Sequence, residues 1–293
     1  MHKRFTWSKV FAGVAGVMVA SFASPQAATG QNIMRQPGAV YDADVKGEKP
    51  APAPRRDISG TWEPAASANA GVNADGAQQM PSSGKPEHEL PFTPEGKAAF
   101  LANKPSRGAT AVPVALNNDP FQRCDPQGVP RILLHNFRTS RIIQTPENVV
   151  VLYLYGRRWR TIWTDGRTLP KEVDEPKWWG DSVGRWVDDY TFVVASTGFD
   201  TRTWLDNAGR PHSEAMRVEE RYRRVDRDHM EMTVIIDDPT YYTKPWTAMI
   251  LPLRLQSPSF DIRENECVPS EMELYNKLFA EPESAGAIAT SPR

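Results

Sequence analysis

Several features that would assign this 293-residue chain to a familiar class of protein are scarce or missing. Lys and Arg (35) nearly balance Asp and Glu (36), so no excess of positive charge indicates a nucleic acid or an anionic membrane as partner. After residue 23, no apolar run approaches the roughly 20 residues that cross a bilayer, so we expect no membrane span.

Sequence motifs for metals and cofactors are equally scarce. The chain has no His-Glu-x-x-His, no Cys-x-x-Cys and no Asp-rich calcium loop, and the pair His212 and Glu214 lacks a third ligand. It has no glycine-rich phosphate loop either. We therefore expect no bound metal and no cofactor.

The chain has only two cysteines, Cys124 and Cys267, and their state depends on the compartment. Residues 1–23 combine a basic start, an apolar run and small residues at Ser21 and Ala23, which is typical of a cleaved signal peptide. In a periplasmic or secreted protein, two cysteines favour a disulfide over a metal site, with two buried thiols as the alternative. On the loop-entropy model, a disulfide across so long a loop contributes roughly 4 to 5 kcal/mol to stability.

Composition predicts one folded domain with polar flanks. Residues 24–56 are rich in Pro and Ala and predict a disordered linker, and residues 281–293 predict a disordered tail. The domain between them spans 57–280. Within it, residues 64–85 cannot build a core and predict a long surface loop.

Two short helices are predicted inside this domain. The first covers 94–103, with Thr93 as N-cap and Pro94 at the first helical position. The second covers 270–280, where Ser270 and Glu273 have the spacing of a capping box.

From residue 131 onward the pattern is that of strands. Short β-branched and aromatic runs alternate with turn sequences such as Asp165-Gly166, which is typical of tight hairpins, and Asp226–Asp228. The runs are RILLHNF, RIIQT, NVVVLYLY, RRWRTIWT, YTFVVAST, EAMRVEERYRR, HMEMTVII and WTAMILPLRL. Because closure removes exposed edges, we expect an all-β, lipocalin-like antiparallel barrel of about eight strands with short flanking helices. DISGTW at 57–62 is its expected first strand, with Trp62 closing one end.

Longer motifs resemble those of a known group of proteins. They are NDPFQRCDPQGVPR, RTIWTDGRTLP, GDSVGRW, STGFDTRTWLDNAGRPHSEAMRVEERYRR and IDDPTYYTKPW. Over residues 55–268 the chain resembles a widespread family of exported bacterial proteins, a domain of unknown function with a lipocalin-like Gly60-x-Trp62 opening. The resemblance to lipocalin-like folds implies that Arg254, on the last strand, stacks on this tryptophan. Where relatives have Glu-Gly-Asp after Gly-Arg-Trp, the chain departs with Val-Asp-Asp-Tyr at 187–190.

The densest group of ionisable residues lies in TWLDNAGRPHSEAMRVEERY, a stretch that also contains Trp204. His212 has a side chain that titrates near neutral pH and can act as acid or base, with Asp206 or Glu214 orienting it. The alternative is a loop histidine that only satisfies its neighbours.

Strict alternation in the following strand predicts that Glu220 and Tyr222 face inward. A carboxyl group in an apolar interior is suited to acid/base chemistry. A buried ion pair with an arginine such as Arg160 or Arg254 is the alternative, since structural pairs perturb the pKa of a carboxyl group as well.

Aromatic residues predict walls for a flat apolar ligand. Trp159 and Trp163 share one face of their strand, although outer packing would explain them equally. Tyr242 and Lys244 follow a strand end, where they form either an anion-binding pair or an ordinary rim contact. The predicted ligand-binding residues are Trp159, Arg160, Trp163, Trp204, Tyr222, Tyr242 and Lys244.

GDSVG at 180–184 matches the Gly-x-Ser-x-Gly of a serine hydrolase, with Asp206 and His212 following in the expected order. This motif requires a strand that turns sharply into a helix, whereas the residues after Ser182 are strand-like. A hydrolase is therefore disfavoured.

Two functions of different class remain. The first is a cofactor-independent periplasmic enzyme, a lyase, isomerase or hydratase, acting on a small aromatic or terpenoid molecule through His212, Asp206 and Glu220. The second is a binding protein for the same class of molecule, with the same walls and no turnover. The number of ionisable groups near an apolar site favours the enzyme narrowly.

Overall fold

A computed structural model describes the chain in four segments. They are residues 49–65, 89–134, 139–262 and 265–282. The segments predicted as a signal peptide, as a linker up to residue 48, as a surface loop from residue 66 and as a tail from residue 283 lie outside the described residues.

Nine strands form one closed barrel, which confirms the all-β, lipocalin-like fold. The strands are β1 Gly60–Pro64, β2 Ser140–Gln144, β3 Asn148–Tyr153, β4 Trp159–Trp163, β5 Asp181–Trp186, β6 Thr191–Thr197, β7 Arg217–Arg224, β8 His229–Asp237 and β9 Trp246–Leu255. Each strand pairs with the next along the chain, and β1 pairs with both β2 and β9. The sheet therefore closes on itself through β1.

One junction departs from the predicted antiparallel arrangement. β4 and β5 run parallel and meet at Trp163 and Val183. A parallel pair requires a long crossover, and residues 164–180 supply it, so Asp165-Gly166 does not form the predicted hairpin. The turn at 187–190 does join antiparallel strands, because the Asp188 carboxylate accepts hydrogen bonds from the amides of Tyr190 and Thr191.

The segment RILLHNF was predicted as a strand, but its first four residues form a short helix, α2 (Arg131–Leu134). The helix starts directly after Pro130, whose carbonyl accepts a hydrogen bond from the Leu134 amide at 3.0 Å. All four of its side chains are buried. An apolar run that is buried on every side has no period to distinguish helix from strand, which is why the prediction was wrong.

The other two helices lie close to their predicted positions. α1 spans Pro94–Ala102, and the Thr93 hydroxyl caps it by accepting a hydrogen bond from the Gly96 amide at 3.0 Å. α3 spans Pro269–Tyr275 and continues as a π-helical turn, Asn276–Ala280. Its N-cap is Val268, so the predicted capping box does not form.

The folded domain begins before the predicted boundary at residue 57. The Ala51 carbonyl accepts a hydrogen bond from the Arg227 amide at 2.9 Å, and the Arg56 amide donates to the Asp189 carbonyl at 2.6 Å. Arg55 forms an ion pair with the Asp189 side chain at 2.5 Å. Residues 49–56 are therefore bound to the barrel and do not form a disordered linker.

Trp62 is fully buried, and its indole nitrogen donates to the Ile58 carbonyl at 3.0 Å. The guanidinium that stacks on its ring, 4.7 Å from the centroid, belongs to Arg224 of β7 and not to Arg254. Alternation explains the correction: Leu253 faces inward on β9, so its neighbour Arg254 faces outward. On β7 the inward positions include Arg224.

Cys124 and Cys267 form the predicted disulfide and lie 143 positions apart in the sequence. Cys124 follows the 3-10 helix Pro120–Arg123, and Cys267 directly precedes Val268, the N-cap of α3. The bond therefore joins two segments that flank most of the barrel strands.

Replacing both cysteines with serine is expected to lower the free energy of unfolding by roughly 4 to 5 kcal/mol, because the unfolded chain loses the covalent constraint on a long loop. Urea denaturation of the double variant, beside wild type with and without reductant, measures this. Equal unfolding midpoints for oxidised and reduced wild type would contradict the expectation.

Candidate functional site

A layer of buried polar side chains lies inside the barrel. Its members, which we call the polar layer, are Tyr153, Arg160, Ser182, Ser196, Glu220 and Tyr222. The strand registers bring them together, since Ser182 lies opposite Ser196 and Glu220 lies opposite Val194. Sequence reasoning missed Ser196, although its alternation with Phe192 and Val194 marks it as an inward position.

The centre of the polar layer is an ion pair between Arg160 and Glu220, with Nη1 and Oε1 2.7 Å apart and both side chains almost wholly buried. Arg160 Nε and Nη2 donate to Ser182 Oγ at 3.0 and 2.9 Å, and Nη2 also donates to Ser196 Oγ at 2.6 Å. Burial alone lowers the pKa of Arg160, but the negative charge of Glu220 raises it above its usual value. Glu220 therefore faces inward as predicted. Of the two arginines considered as partners, it is Arg160 that forms the buried ion pair with it.

Two tyrosines complete the polar layer. The Tyr222 hydroxyl donates to Glu220 Oε2 at 2.7 Å, and burial, with the nearby Glu220 charge, raises the pKa of Tyr222 well above its usual value. Burial also raises the pKa of Tyr153 to about 12, and Arg160 offsets only part of this effect. Both hydroxyls are therefore neutral donors at ordinary pH. Arg160 lies close enough to donate to the Tyr153 hydroxyl, but no acceptor for the Tyr153 O–H is found among the described residues.

His212 lies in the loop between β6 and β7 and is buried. Its Nε2 hydrogen-bonds the Thr203 hydroxyl at 2.8 Å, and its Nδ1 lies 3.3 Å from the Ser213 carbonyl oxygen. Burial lowers the pKa of His212, and the Ser213 hydrogen bond and the charges of Asp238 and Asp200 offset only part of that effect. The described contacts of His212 are those of the alternative that the sequence left open, a loop histidine that hydrogen-bonds its neighbours.

Asp206 does not orient His212 as predicted. Its carboxylate forms an ion pair with Arg210 and accepts a hydrogen bond from the Ala208 amide at 2.9 Å, because a short turn folds back on the aspartate. Glu214, the other predicted partner of His212, is exposed. Among the described contacts, His212, Asp206 and Glu220 belong to three different hydrogen-bond networks.

The two predicted ligand-wall tryptophans lie on the outer face of the barrel. Trp159 is 65% exposed, and Trp163 is half-buried beneath the guanidinium of Arg167, 3.7 Å from its ring centroid. Because Arg160 and Ile162 face inward, strand alternation directs the tryptophans outward. Neither lines the interior.

Tyr242 and Lys244 do not form the predicted pair. Tyr242 is buried and its hydroxyl donates to the Pro211 carbonyl at 2.7 Å, whereas Lys244 is exposed. Trp204 is buried in the loop before β7, with the guanidinium of Arg131 5.9 Å from its ring. Tyr242, Trp204 and Lys244 all lie outside the polar layer.

GDSVG belongs to strand β5 and the residue before it, and it forms no strand-to-helix elbow. The Ser182 hydroxyl is buried, accepts from Arg160 and receives a further hydrogen bond from Ser196 at 3.1 Å. His212 hydrogen-bonds Thr203 and Ser213 instead. The hydrolase triad is therefore not assembled.

Within the described part of the chain, no group of three His, Cys, Asp or Glu residues is placed to hold a metal ion. None of its helices is long and apolar enough to cross a membrane. Comparison of the chain with protein-family models, curated proteins and solved structures gives no match.

The buried position of His212 predicts a pH dependence of stability. Since its pKa is lowered in the folded state, the unfolded chain takes up a proton first as the pH falls below about 6.5. Wild type should then lose stability relative to His212→Gln by up to about 1.4 kcal/mol per pH unit, until the pH passes the lower folded-state pKa. Urea denaturation of both proteins between about pH 7.5 and 5 measures this. A stability difference that stays constant over this range would refute it.

The ion pair of the polar layer predicts strong coupling between its members. Glu220→Gln should cost about 3 to 5 kcal/mol because it leaves the Arg160 charge buried without a counter-ion. Adding Arg160→Met should recover a large part of that loss. The exposed pair Arg223 and Glu231, 3.2 Å apart, is a matched control whose Glu231→Gln change should cost less than about 1 kcal/mol. Additive single-variant effects in a double-mutant cycle would count against the coupling.

Proposed function

We propose that this protein is an exported barrel that binds a small, largely apolar molecule, aromatic or terpenoid, through its interior. The Tyr153 hydroxyl carries the proposal: it is buried, its neighbour Arg160 can only donate to it, and no acceptor for its O–H is found among the described residues. Buried polar groups are nearly always satisfied, and one that is not calls for a ligand or a water. A ligand oxygen at this point would accept a hydrogen bond from the Tyr153 hydroxyl.

The surroundings of the polar layer define the rest of the ligand. The inward side chains next to it are apolar and fully buried, and they include Val151, Val194, Met232, Val234 and Leu251. Barrels of this size hold at most one small ligand. The expected ligand is therefore a compact hydrophobic molecule with one polar group, which the polar layer orients.

Export is part of the proposal and rests on two observations of different kind. Residues 1–23 have the composition of a signal peptide. The disulfide between Cys124 and Cys267 is of a type that persists in oxidising compartments and is rare in the cytosol.

Binding without turnover is favoured over the enzyme. Acid/base catalysis by His212, Asp206 and Glu220 would require these side chains to converge on one reacting atom, and their hydrogen bonds belong to three different networks. Glu220 itself is held by Arg160 and Tyr222.

The cofactor-independent lyase, isomerase or hydratase remains a second candidate because of one observation. Within the polar layer, a carboxylate (Glu220) lies with two neutral phenols, Tyr153 and Tyr222. Such a set can take a proton from a substrate carbon while a phenol donates to the substrate oxygen. In this version Glu220 is the base, and His212 and Asp206 have no catalytic part.

The test uses the chain from residue 24 onward and a pool of small aromatic and terpenoid alcohols, ketones and phenols. Ultrafiltration followed by mass spectrometry identifies compounds that are retained and compounds that are converted. We expect retention without conversion, and Tyr153→Phe should weaken retention about fivefold because it removes one hydrogen bond and leaves the ring. Tyr190→Phe changes an exposed tyrosine and is the matched control.

The outcomes separate the two candidates. Conversion of a compound by wild type but not by Glu220→Gln would establish the enzyme. Equal retention by Tyr153→Phe and wild type would exclude the polar layer as the binding site. Absence of both retention and conversion across the pool would contradict both functions.

A further inference from the structure

A groove lies on the surface of the barrel where β1 begins and where β2 and β9 end. Its cavity volume of about 770 Å³ is within the range of small-molecule sites. The polar layer contributes none of its lining residues. Its lining residues include Thr61, Arg141, Ile143, Leu255 and Gln256.

The walls of the groove are mainly apolar. Ile143 is 42% exposed on the outer face of β2, and Leu255 lies across the start of β1. Any Cβ at Gly60 would collide with Leu255 Cδ1, so the glycine of the Gly-x-Trp opening is what permits this approach. The groove thus offers a hydrophobic surface for a ligand.

Arg141 brings a positive charge to this surface. Its Nε donates to the Thr61 hydroxyl at 2.9 Å and its Nη2 donates to the Phe260 carbonyl at 3.1 Å, and both acceptors are neutral. Arg227, also on the groove, forms an ion pair with Asp228 at 2.7 Å. No carboxylate of the described residues forms an ion pair with Arg141. The Arg141 guanidinium is therefore a positive charge in the groove lining without a counter-ion.

Gln256 is a second, independent indication of a ligand. Gln256 is one of the residues that line the groove and is only 2% exposed, yet neither atom of its side-chain amide has a hydrogen-bond partner among the described residues. A buried amide without partners is costly to keep. It offers a donor and an acceptor to a molecule bound in the groove.

We propose that this groove is a second binding site, for an apolar carboxylic acid bound as its anion. The Arg141 guanidinium pairs with the carboxylate, which matches its charge and planar shape. The Gln256 amide donates a further hydrogen bond to the ligand, and Ile143 and Leu255 contact its hydrocarbon part. This site does not depend on the interior site proposed above.

The charge requirement is tested with 2-naphthoate and its neutral analogue 2-naphthamide, by isothermal titration calorimetry at neutral pH. Wild type should bind the acid at least about tenfold more tightly than the amide, since only the acid forms a charged pair with Arg141. Arg141→Gln should remove this preference, whereas Arg141→Lys should retain part of it. Equal affinities in wild type, or an unchanged preference in Arg141→Gln, would overturn the proposal.

The location is tested with two matched isoleucines. Ile143 and Ile250 are 42% and 41% exposed on the outer faces of β2 and β9, but only Ile143 lines the groove. Ile143→Glu should abolish 2-naphthoate binding, and Ile250→Glu should leave it intact. Similar effects of both changes would refute the location. Tyr153→Phe should not alter the affinity, and a loss there would place the probe in the interior and overturn the inference.

Discussion

The closure of the barrel by β1 is the constraint on which the rest of the structure depends. This strand has only five residues, yet it hydrogen-bonds to β2 on one side and to β9 on the other. With both edges paired, the inward face of every strand turns toward one interior that is shielded from water. Trp62, at the middle of β1, is consequently fully buried.

The polar layer exists only because of this closure. In the low-dielectric interior the Arg160 and Glu220 charges attract each other more strongly than at a surface, but burying them also costs more. Apolar side chains of similar volume would stabilise the barrel about as well, so stability alone is a weak reason for the pair. The proposed role of the polar layer in orienting a ligand would explain why the barrel keeps this ion pair in its interior.

The inner and outer faces of the same wall suit different ligands. Inward positions carry neutral phenols next to a compensated ion pair, which suits an uncharged polar group. On the outer face of β2, Arg141 has only neutral hydrogen-bond acceptors, which suits an anion. Strand alternation therefore separates two kinds of chemistry across a single layer of backbone.

Local pattern in the sequence was enough to predict the strands that alternate clearly, the Thr93 helix cap, the disulfide and the inward position of Glu220. These features depend on neighbouring residues, or, for the cysteines, on their number and compartment. Only the tertiary structure decided which distant groups meet: that Glu220 pairs with Arg160, that Arg224 and not Arg254 covers Trp62, and that Asp206 binds Arg210 instead of His212. It also decided that β5 runs parallel to β4 and that Arg131–Leu134 is helical. The physical reason is that alternation states which way a side chain points, whereas its partner depends on the register of strands far apart in the chain.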